Sequence, residues 1–486
     1  MTERATRTAS LEPPVTEEGF LERFFHLRDF GTSVPTELLA GLTTFMVMAY
    51  IIFVNPVILG NPGLPDHLPI SATTTGTALV AGVMTIAMGL ATNRAYAIAP
   101  GMGLNAVVAY QLIGAMHLSA PEAMGVIVAD GAIMTILVLA GVRKYVMTAV
   151  PVELKKGISV GIGLFILFIG LVDGGIIVPN SSTLVAMGNL RGVPVFVTVA
   201  GLLITILFLA LEVRGAVLWG ILSSTAIAIA ARALTGTKQF APGQAVLPSR
   251  AVAAPDFSRL GHFSFGFIGH LGILTAVLVV LSILMVDFFD AIGTLIGVGS
   301  QAGYLNEKGE LPVAQQALTV DALAAMAGGA ASVSSATTFI ESAAGVGVGG
   351  RTGLVSCVTG ILFLMAMPFW PIVEVVPTQA TAPALIIVGW MMMSVLSDRE
   401  SRTPDGRVVL ARGIDFSNIE EGLPVVATMV MMPLTYNIAN GIGAGFILWT
   451  LIKLFRGKAR EIHPAMYVVS LVFLVYFVRN FLGVQV

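Results

Sequence analysis

From Glu37 to the C-terminus the chain is a succession of apolar runs parted by short polar breaks. A bilayer core about 30 Å thick needs about 20 apolar residues of helix to cross it, and the runs have that scale. They predict spans near 37–58, 71–91, 101–116, 122–142, 151–172, 192–212 and 215–235, then a second series near 270–296, 317–331, 340–350, 353–376, 379–397, 423–438 and 441–456. A single long polar stretch, 236–268, carrying Lys238, Pro242, Pro248, Arg250, Pro255, Asp256 and Arg259, parts the two series. Seven spans, a loop and seven spans predict two halves of opposite orientation. The chain therefore divides into an N-terminal cytoplasmic segment 1–35, a first seven-span repeat 36–235, an extracellular linker 236–268, a second repeat 269–456, and a basic loop with an apolar C-terminal helix at 457–486. The apolar run 465–483 has two readings: it crosses once more, or it lies along the interface with Arg479 and Asn480 among the headgroups.

Two of the spans are irregular, and they stand third in each half. One runs from Asn93 through Pro100-Gly101-Met102-Gly103 to Asn105, the other from Ser334 through Thr337-Thr338-Phe339-Ile340-Glu341 to Gly345. Each places a short extended-looking segment before a Gly-rich half-length helix. Backbone that is neither helix nor closed sheet survives at membrane depth only where protein or a water-filled cavity surrounds it. Interrupted spans at matching places in two halves are the sequence pointer to a transporter's binding site.

Composition agrees with a lipid-covered molecule. Only 11% of the 486 residues are charged, against about 25% in soluble domains, while 56% are hydrophobic and the mean hydropathy is +0.89. The formal net charge of −2 conceals no run of Lys and Arg, which argues against a nucleic-acid partner. The basic residues orient the spans, because short cytoplasmic loops carry the Lys and Arg excess. With the N-terminus inside, the cytoplasmic connections hold Arg94, Arg143, Lys144, Lys155, Lys156, Arg214, Lys308, Arg351, Arg399, Arg402, Arg407, Arg412, Lys453, Arg456, Lys458 and Arg460, and the external ones only Arg191, Arg232, Lys238, Arg250 and Arg259. The first 35 residues, with Glu12, Glu17, Glu18, Glu22, Arg23, Arg28 and Asp29, lack the apolar core of a cleaved signal peptide, so the chain is expected to start in the cytosol. Cys357, alone, excludes an internal disulfide and reads as a small buried residue.

An acid in the apolar core costs about 2.5–3.5 kcal/mol on insertion scales, so each one demands a reason. Within 271–300 the charged residues are Asp287 and Asp290; spacings of three and seven put them with Thr294 on one helix face. Glu341 opens the second half-helix, where backbone N–H groups favour a carboxylate. No basic residue inside neighbouring spans is expected to pair with these acids. Carboxylates without a counter-ion suit a proton, or the N–H donors of a neutral planar molecule, and would repel an anion. Backbone of the extended segments 95–99 and 335–340 would add further hydrogen bonds, and Phe339 either packs or offers an aromatic face. Other patterns carry less. Gly345-Val346-Gly347-Val348-Gly349-Gly350 fits a dinucleotide fingerprint without its βα context, and close helix packing explains it better. The histidines, among them His26, His117, His262 and His463, form no metal-spaced cluster, and no G-x-G-D protease motif occurs. No cofactor, no metal and no enzymatic activity are expected.

Several blocks together resemble a known family. Thr36-Glu37-Leu38-Leu39-Ala40-Gly41-Leu42-Thr43-Thr44-Phe45, Pro100-Gly101-Met102-Gly103-Leu104-Asn105-Ala106, Asp287-Phe288-Phe289-Asp290-Ala291-Ile292-Gly293-Thr294, Thr337-Thr338-Phe339-Ile340-Glu341-Ser342 and Met432-Pro433-Leu434-Thr435 look like the adenine/guanine/hypoxanthine permeases, the AzgA-like branch of the nucleobase:cation symporters. The resemblance spans roughly 20–470. It implies an all-α polytopic membrane protein of fourteen segments in a seven-plus-seven inverted repeat, with a core domain of spans 1–4 and 8–11, a gate domain of spans 5–7 and 12–14, and short strands in spans 3 and 10. Asp290 takes the place of the substrate-binding acid in the E-x-x-G-H or E-x-x-G-D of related branches, and Thr294 replaces the His or Asp. Glu341 matches the span-10 acid, although Glu341-Ser342-Ala343-Ala344-Gly345 departs from the Q/E-N-x-G signature in the manner of the purine branch.

The expected function is proton-coupled uptake of a purine nucleobase (adenine, guanine or hypoxanthine) by alternating access in the inner (plasma) membrane. Expected substrate-binding residues are Asp290, Glu341, Phe339, Thr338, Ser342, Ala99 and Thr43. Expected proton-coupling residues are Asp290, Glu341, Asp287 and Thr294, although Asp287 also reads as structural. The partners are the purine, protons and the bilayer, with dimerisation through the gate domain left open. The alternative is an anion exchanger or channel of the same fold, which would want few acids and a nearby Arg or Lys.

Overall fold

The computed structural model describes residues 19–141, 150–306, 310–396, 399–402, 408–411 and 413–481. Of the residues used above, Glu12, Glu17, Glu18, Arg143, Lys144, Lys308, Arg407 and Arg412 lie outside these.

A short helix α1 (Phe20–Phe25) precedes the first span, which is made of α2 (Val34–Met48) and α3 (Ile51–Leu59). The first half continues with α4 (Ile70–Thr92), strand β1 (Ile98–Pro100) and α5 (Met102–Ala106), which widens into a π-helical stretch, Val107–Ala115. It closes with α6 (Ala120–Leu139), α7 (Val152–Asp173), the hairpin β2 (Ile177–Asn180) and β3 (Leu184–Met187), α8 (Val193–Ala210) and α9 (Ala216–Thr235). The second half begins with α10 (Ile273–Ala302), α11 (Ala314–Ala330), strand β4 (Ala336–Thr338), α12 (Ser342–Gly347) and α13 (Gly353–Ala366). It ends with α14 (Thr378–Met392), α15 (Gly422–Thr435), α16 (Ile438–Phe455) and α17 (Pro464–Phe481). Among the described residues nine helical stretches of 18 residues or more are apolar enough to cross a membrane.

The boundaries follow local chemistry. Ser119 and Glu122 close a capping box at the start of α6, with Pro121 in its first turn, where a missing N–H costs nothing. The first span, expected near 37–58, is one apolar helical stretch from Val34 to Leu59 with a turn at Ala49–Tyr50 that parts α2 from α3. The span expected at 340–350 holds only the six-residue α12, and α10 runs six residues beyond the expected end at 296.

The helices sort into two packing groups. One contains α2, α4, α6, α10, α11 and α13; the other contains α7, α8, α9, α14, α15 and α16. Each group draws on both halves of the chain. In the first, α4 and α13 approach until a Cβ on Gly89 would lie 2.6 Å from the Gly353 carbonyl oxygen; in the second, a Cβ on Gly163 would lie 2.7 Å from that of Gly389. Without a hydrophobic drive between helices in lipid, such close backbone contact supplies the attraction.

The long polar stretch is tied down over helix ends. Ser264 donates its N–H to the Pro121 carbonyl at 2.8 Å, Gly261 to Ala330 at 2.7 Å and Ala253 to Pro368 at 2.9 Å, while Asp256 accepts from Ser71 at 2.6 Å. The C-terminal helix α17 folds back along α16, with Ser470 beside Thr450 at 2.8 Å and the Phe473 ring 6.3 Å from that of Phe446. Cys357, expected to be buried, is half-buried; it packs on the Phe25, Leu27 and Leu354 cluster that seats α1.

Candidate functional site

Strands β1 and β4 pair antiparallel, Ile98 opposite Thr338, Ala99 opposite Thr337 and Pro100 opposite Ala336. The ladder is flanked by Phe339 N–H to Ala97 C=O at 2.9 Å and Gly101 N–H to Ser335 C=O at 2.8 Å. Alternation in an antiparallel pair then makes Ala99 and Thr337 the hydrogen-bonded couple. This mutual pairing satisfies backbone groups that lipid would leave unpaired. Left-handed Asn93, Ser332 and Ser334, with φ of 48°, 58° and 74°, turn the chain into the two strands. Ser342 brackets the crossing: its hydroxyl accepts from Ala97 N–H at 2.9 Å and donates to the Phe339 carbonyl at 2.7 Å.

Acids gather around β4. Asp287, fully buried on α10, accepts the Ser335 hydroxyl at 2.6 Å. Asp290 is half-buried one turn further on, within electrostatic reach of Asp321 and Glu341. Glu341 is half-buried at the foot of α12 and accepts the Tyr50 hydroxyl at 2.7 Å. Tyr50 stands at the break between α2 and α3, so the irregularity in the first span delivers this donor. Thr294 is buried on the same α10 face as Asp287.

The expected substrate residues separate into two sets. Asp290, Glu341 and the buried Phe339 stand around β4 and the start of α12. The others are engaged inside the protein. Thr338 gives both its N–H and its hydroxyl to Asp321 at 2.7 Å, Thr43 bonds back to Leu39 at 2.8 Å, Ser342 holds the strands, and Ala99 lies in the ladder. Lys155, in the first turn of α7, places its ammonium 5.2 Å from the centroid of the Phe289 ring, next in sequence to Asp290.

Two acids escaped the sequence reading. Asp321 on α11 takes the Thr338 bonds and the Thr337 hydroxyl at 3.3 Å; Asp130 on α6 is fully buried near Asp287. Both interrupt apolar runs, Ile127-Val128-Ala129-Asp130 and Thr319-Val320-Asp321-Ala322. The cost argument that singled out Asp287 would have found them had it been applied to every span. Glu37 is buried as well, but its role is structural. It accepts Arg351 N–H at 2.8 Å, Thr352 N–H at 3.1 Å and the Thr352 hydroxyl at 2.6 Å, which caps the turn into α13. The arrangement offers carboxylate acceptors on α10 and at the start of α12, with Asp287 and Asp321 bonded to the β4 segment between them. Among the described residues no group of three His, Cys, Asp or Glu is placed to hold a metal ion.

The fold resembles the transmembrane domain of the cyanobacterial bicarbonate transporter BicA, with a TM-score of 0.59 at 15% identity over 84% of this chain and 96% of that one. It also resembles the murine anion transporter Slc26a9 in its inward-facing state, with a TM-score of 0.59 at 12% identity over 94% of this chain and 77% of that one. In sequence, the chain is 38% identical to the guanine/hypoxanthine permease PbuG of Bacillus subtilis, over 94% of this chain and 99% of that protein. It is 37% identical to the adenine permease AdeP of Escherichia coli, over 94% of this chain and 96% of that protein. Residues 35–411 match the model of the Permease family. The chain is thus a multi-pass membrane permease, not an enzyme, and it belongs to the Permease family, in the adenine/guanine/hypoxanthine branch that its motifs resemble.

Proposed function

We propose that this protein takes up a purine nucleobase (adenine, guanine or hypoxanthine) together with a proton across the plasma membrane. The observation that carries the reading is the placement of Asp290 and Glu341, two half-buried acids within electrostatic reach of each other beside the strand pair. Carboxylates in that position accept hydrogen bonds from ring and exocyclic N–H groups and disfavour an anion. Relatives named as guanine/hypoxanthine and adenine permeases support the same substrate class. The similarity to anion transporters concerns the fold alone, and the acids weigh against the anion reading.

In this proposal the chain makes fourteen crossings in two inverted repeats, 36–235 and 269–456, joined by the external linker 236–268, with the N-terminus inside. The packing group of α2, α4, α6, α10, α11 and α13 is the core, and the group of α7, α8, α9, α14, α15 and α16 is the gate. The core carries the base past the gate by alternating access. Asp290, Glu341 and Phe339 meet the base; Thr338, Ser342 and Ala99 fix the strand pair beside them, Thr43 adds a hydroxyl from α2, and Thr294 lines the helix face near the titrating carboxyls. Each proton contributes about 2.3 kcal/mol per 100 mV and about 1.36 kcal/mol per pH unit, enough to concentrate a neutral base.

The test is uptake of labelled adenine, guanine, hypoxanthine, xanthine and uracil into proteoliposomes with and without an imposed proton gradient. Gradient-dependent purine uptake that disappears in Asp290→Asn and in Glu341→Gln is expected. Absence of purine uptake in the wild type would end the proposal, and wild-type uptake in both variants would remove these acids from the site.

A further inference from the structure

Asp130 stands midway along α6 and Asp287 midway along α10, and neither is exposed. Their carboxyls meet within hydrogen-bonding reach of each other. Among the described residues, no donor reaches either oxygen of Asp130 or Oδ1 of Asp287; Oδ2 of Asp287 takes the Ser335 hydroxyl at 2.6 Å. Asp130, fully buried with both oxygens bare, is therefore aimed at another acceptor.

Among the described residues, the charged and titratable groups of the surrounding elements are engaged elsewhere or share the sign of the pair. On α6 the other acid is Glu122, at the helix start with Ser119, and its neighbour His270 lies 3.5 Å from it. Asp321 on α11 has its oxygens taken by Thr337 and Thr338. Tyr110, on the π-helical stretch beside α6, is bound to Asp173 on α7 at 2.7 Å. Also on α7, Glu153, Lys155 and Lys156 lie in the first turns, Lys155 over the Phe289 ring. Lys453 on α16 is held by Glu420 and Glu461; α17 brings Tyr467 and Tyr476. The charges that act on Asp287 are those of Asp130, Asp321 and Asp290, all of one sign.

Two facing carboxylates in a fully buried, low-dielectric site repel each other and lack donors. One proton between them turns the repulsion into a charge-assisted O–H···O bond. We infer that Asp130 and Asp287 form a carboxyl pair that holds the coupling proton, at a place separate from Asp290 and Glu341, the acids that meet the nucleobase. The inference rests on the proton-coupled reading above. A proton from external water binds one carboxylate oxygen of the pair and is shared with the facing one. Its release to cytoplasmic water leaves two carboxylates, a state tolerable only while water reaches them. Ser335 joins the pair to β4, and so to Phe339 and Glu341 further along the same segment. Loading of the proton and ordering of the base site thus share one strand.

Asp130→Asn tests this without emptying the site, because the amide N–H supplies the donor that the shared proton supplies in the wild type. Full-length protein in liposomes is assayed for uptake driven by an imposed pH gradient, and for exchange of internal unlabelled base against external labelled base at equal pH. The ratio of gradient-driven to exchange flux is expected to fall about ten-fold or more, the worth of one pH unit of driving force, in both Asp130→Asn and Asp287→Asn. The pH profile of uptake should flatten in the same variants. Asp130→Glu, which restores a titrating group, should recover the ratio; a merely structural pair would not separate the two fluxes. Should Asp130→Asn fail to fold, Asp287→Asn and Asp130→Glu carry the test. A wild-type ratio in the Asn variants overturns the inference. A wild type that exchanges base but shows no gradient-driven uptake overturns the proton-coupled reading itself.

Discussion

The hydroxyl of Tyr50 donates a 2.7 Å hydrogen bond to Oε1 of Glu341, joining residues 291 positions apart in the chain. The bond ties the break in the first span to the first residue before α12, so one half of the chain orients the candidate binding acid of the other. A hydrogen bond to a charged group is worth about 1.5–3 kcal/mol. Tyr50→Phe is therefore expected to weaken nucleobase affinity by about ten-fold or more while leaving the protein folded. Equilibrium binding of the labelled base to purified protein measures it, and unchanged affinity would show that Glu341 is held by other means.

Asp321 is the anchor of β4, since it takes the N–H and hydroxyl of Thr338 and the hydroxyl of Thr337. Asp321→Ala leaves three buried donors unmet, at about 1–3 kcal/mol for each buried group left without a partner. The melting temperature of the detergent-solubilised protein is expected to drop by several degrees. Asp321→Asn keeps one acceptor oxygen for the Thr338 N–H and should fall less.

Among the described residues, two bonds join the π-helical stretch after α5, which packs on α6 of the first group, to the second packing group. Tyr110 donates to Asp173 at 2.7 Å, and Gln111 accepts the Ile438 N–H at 3.1 Å. Both come from the π-helical stretch after α5, and both must break if the groups slide apart there. Losing a bond of about 1 kcal/mol shifts a two-state equilibrium about five-fold. Tyr110→Phe should accordingly raise the rate at which an external thiol reagent labels a cysteine placed at Phe289, in a Cys357→Ala background. A rate unchanged by Tyr110→Phe would mean that the bond does not hold the groups together.

Glu420, just ahead of α15, collects Lys458 and Arg456 at 2.6 Å and Lys453 at 3.0 Å. These partners hold its carboxyl at about 2 against an ordinary 4.5. Because the folded value is depressed, the stabilisation is fully present above about pH 5 and is lost as pH falls toward about 2. Melting curves between those values should show Glu420→Gln less stable than wild type at neutral pH, with the difference closing in acid. A difference that stays constant with pH would remove this carboxyl from the stability of the C-terminal helices.

The hydrophobic pattern alone located the long apolar helices fit to cross a membrane and the two interrupted segments, because a lipid solvent demands a fixed length of apolar helix and punishes open backbone wherever it occurs. Asp287, Asp290 and Glu341 were legible for the same reason, as acids in apolar surroundings. Which groups meet was not legible. The pairing of β1 with β4, the Tyr50 bond to Glu341, the use of Thr338 by Asp321 and the meeting of Asp130 with Asp287 depend on how helices rotate and pack sideways, and in lipid the apolar pattern is nearly the same all round a helix. The span near 37–58 was legible, but the turn within it at Ala49–Tyr50 was not, because no Pro or Gly marks it. Likewise, the course of α17 was decided by Ser470 and Phe473 finding Thr450 and Phe446 on α16. Periodicity and cost per residue are properties of the chain, whereas the partner that satisfies a buried polar group comes from a distant segment that only the tertiary structure brings near.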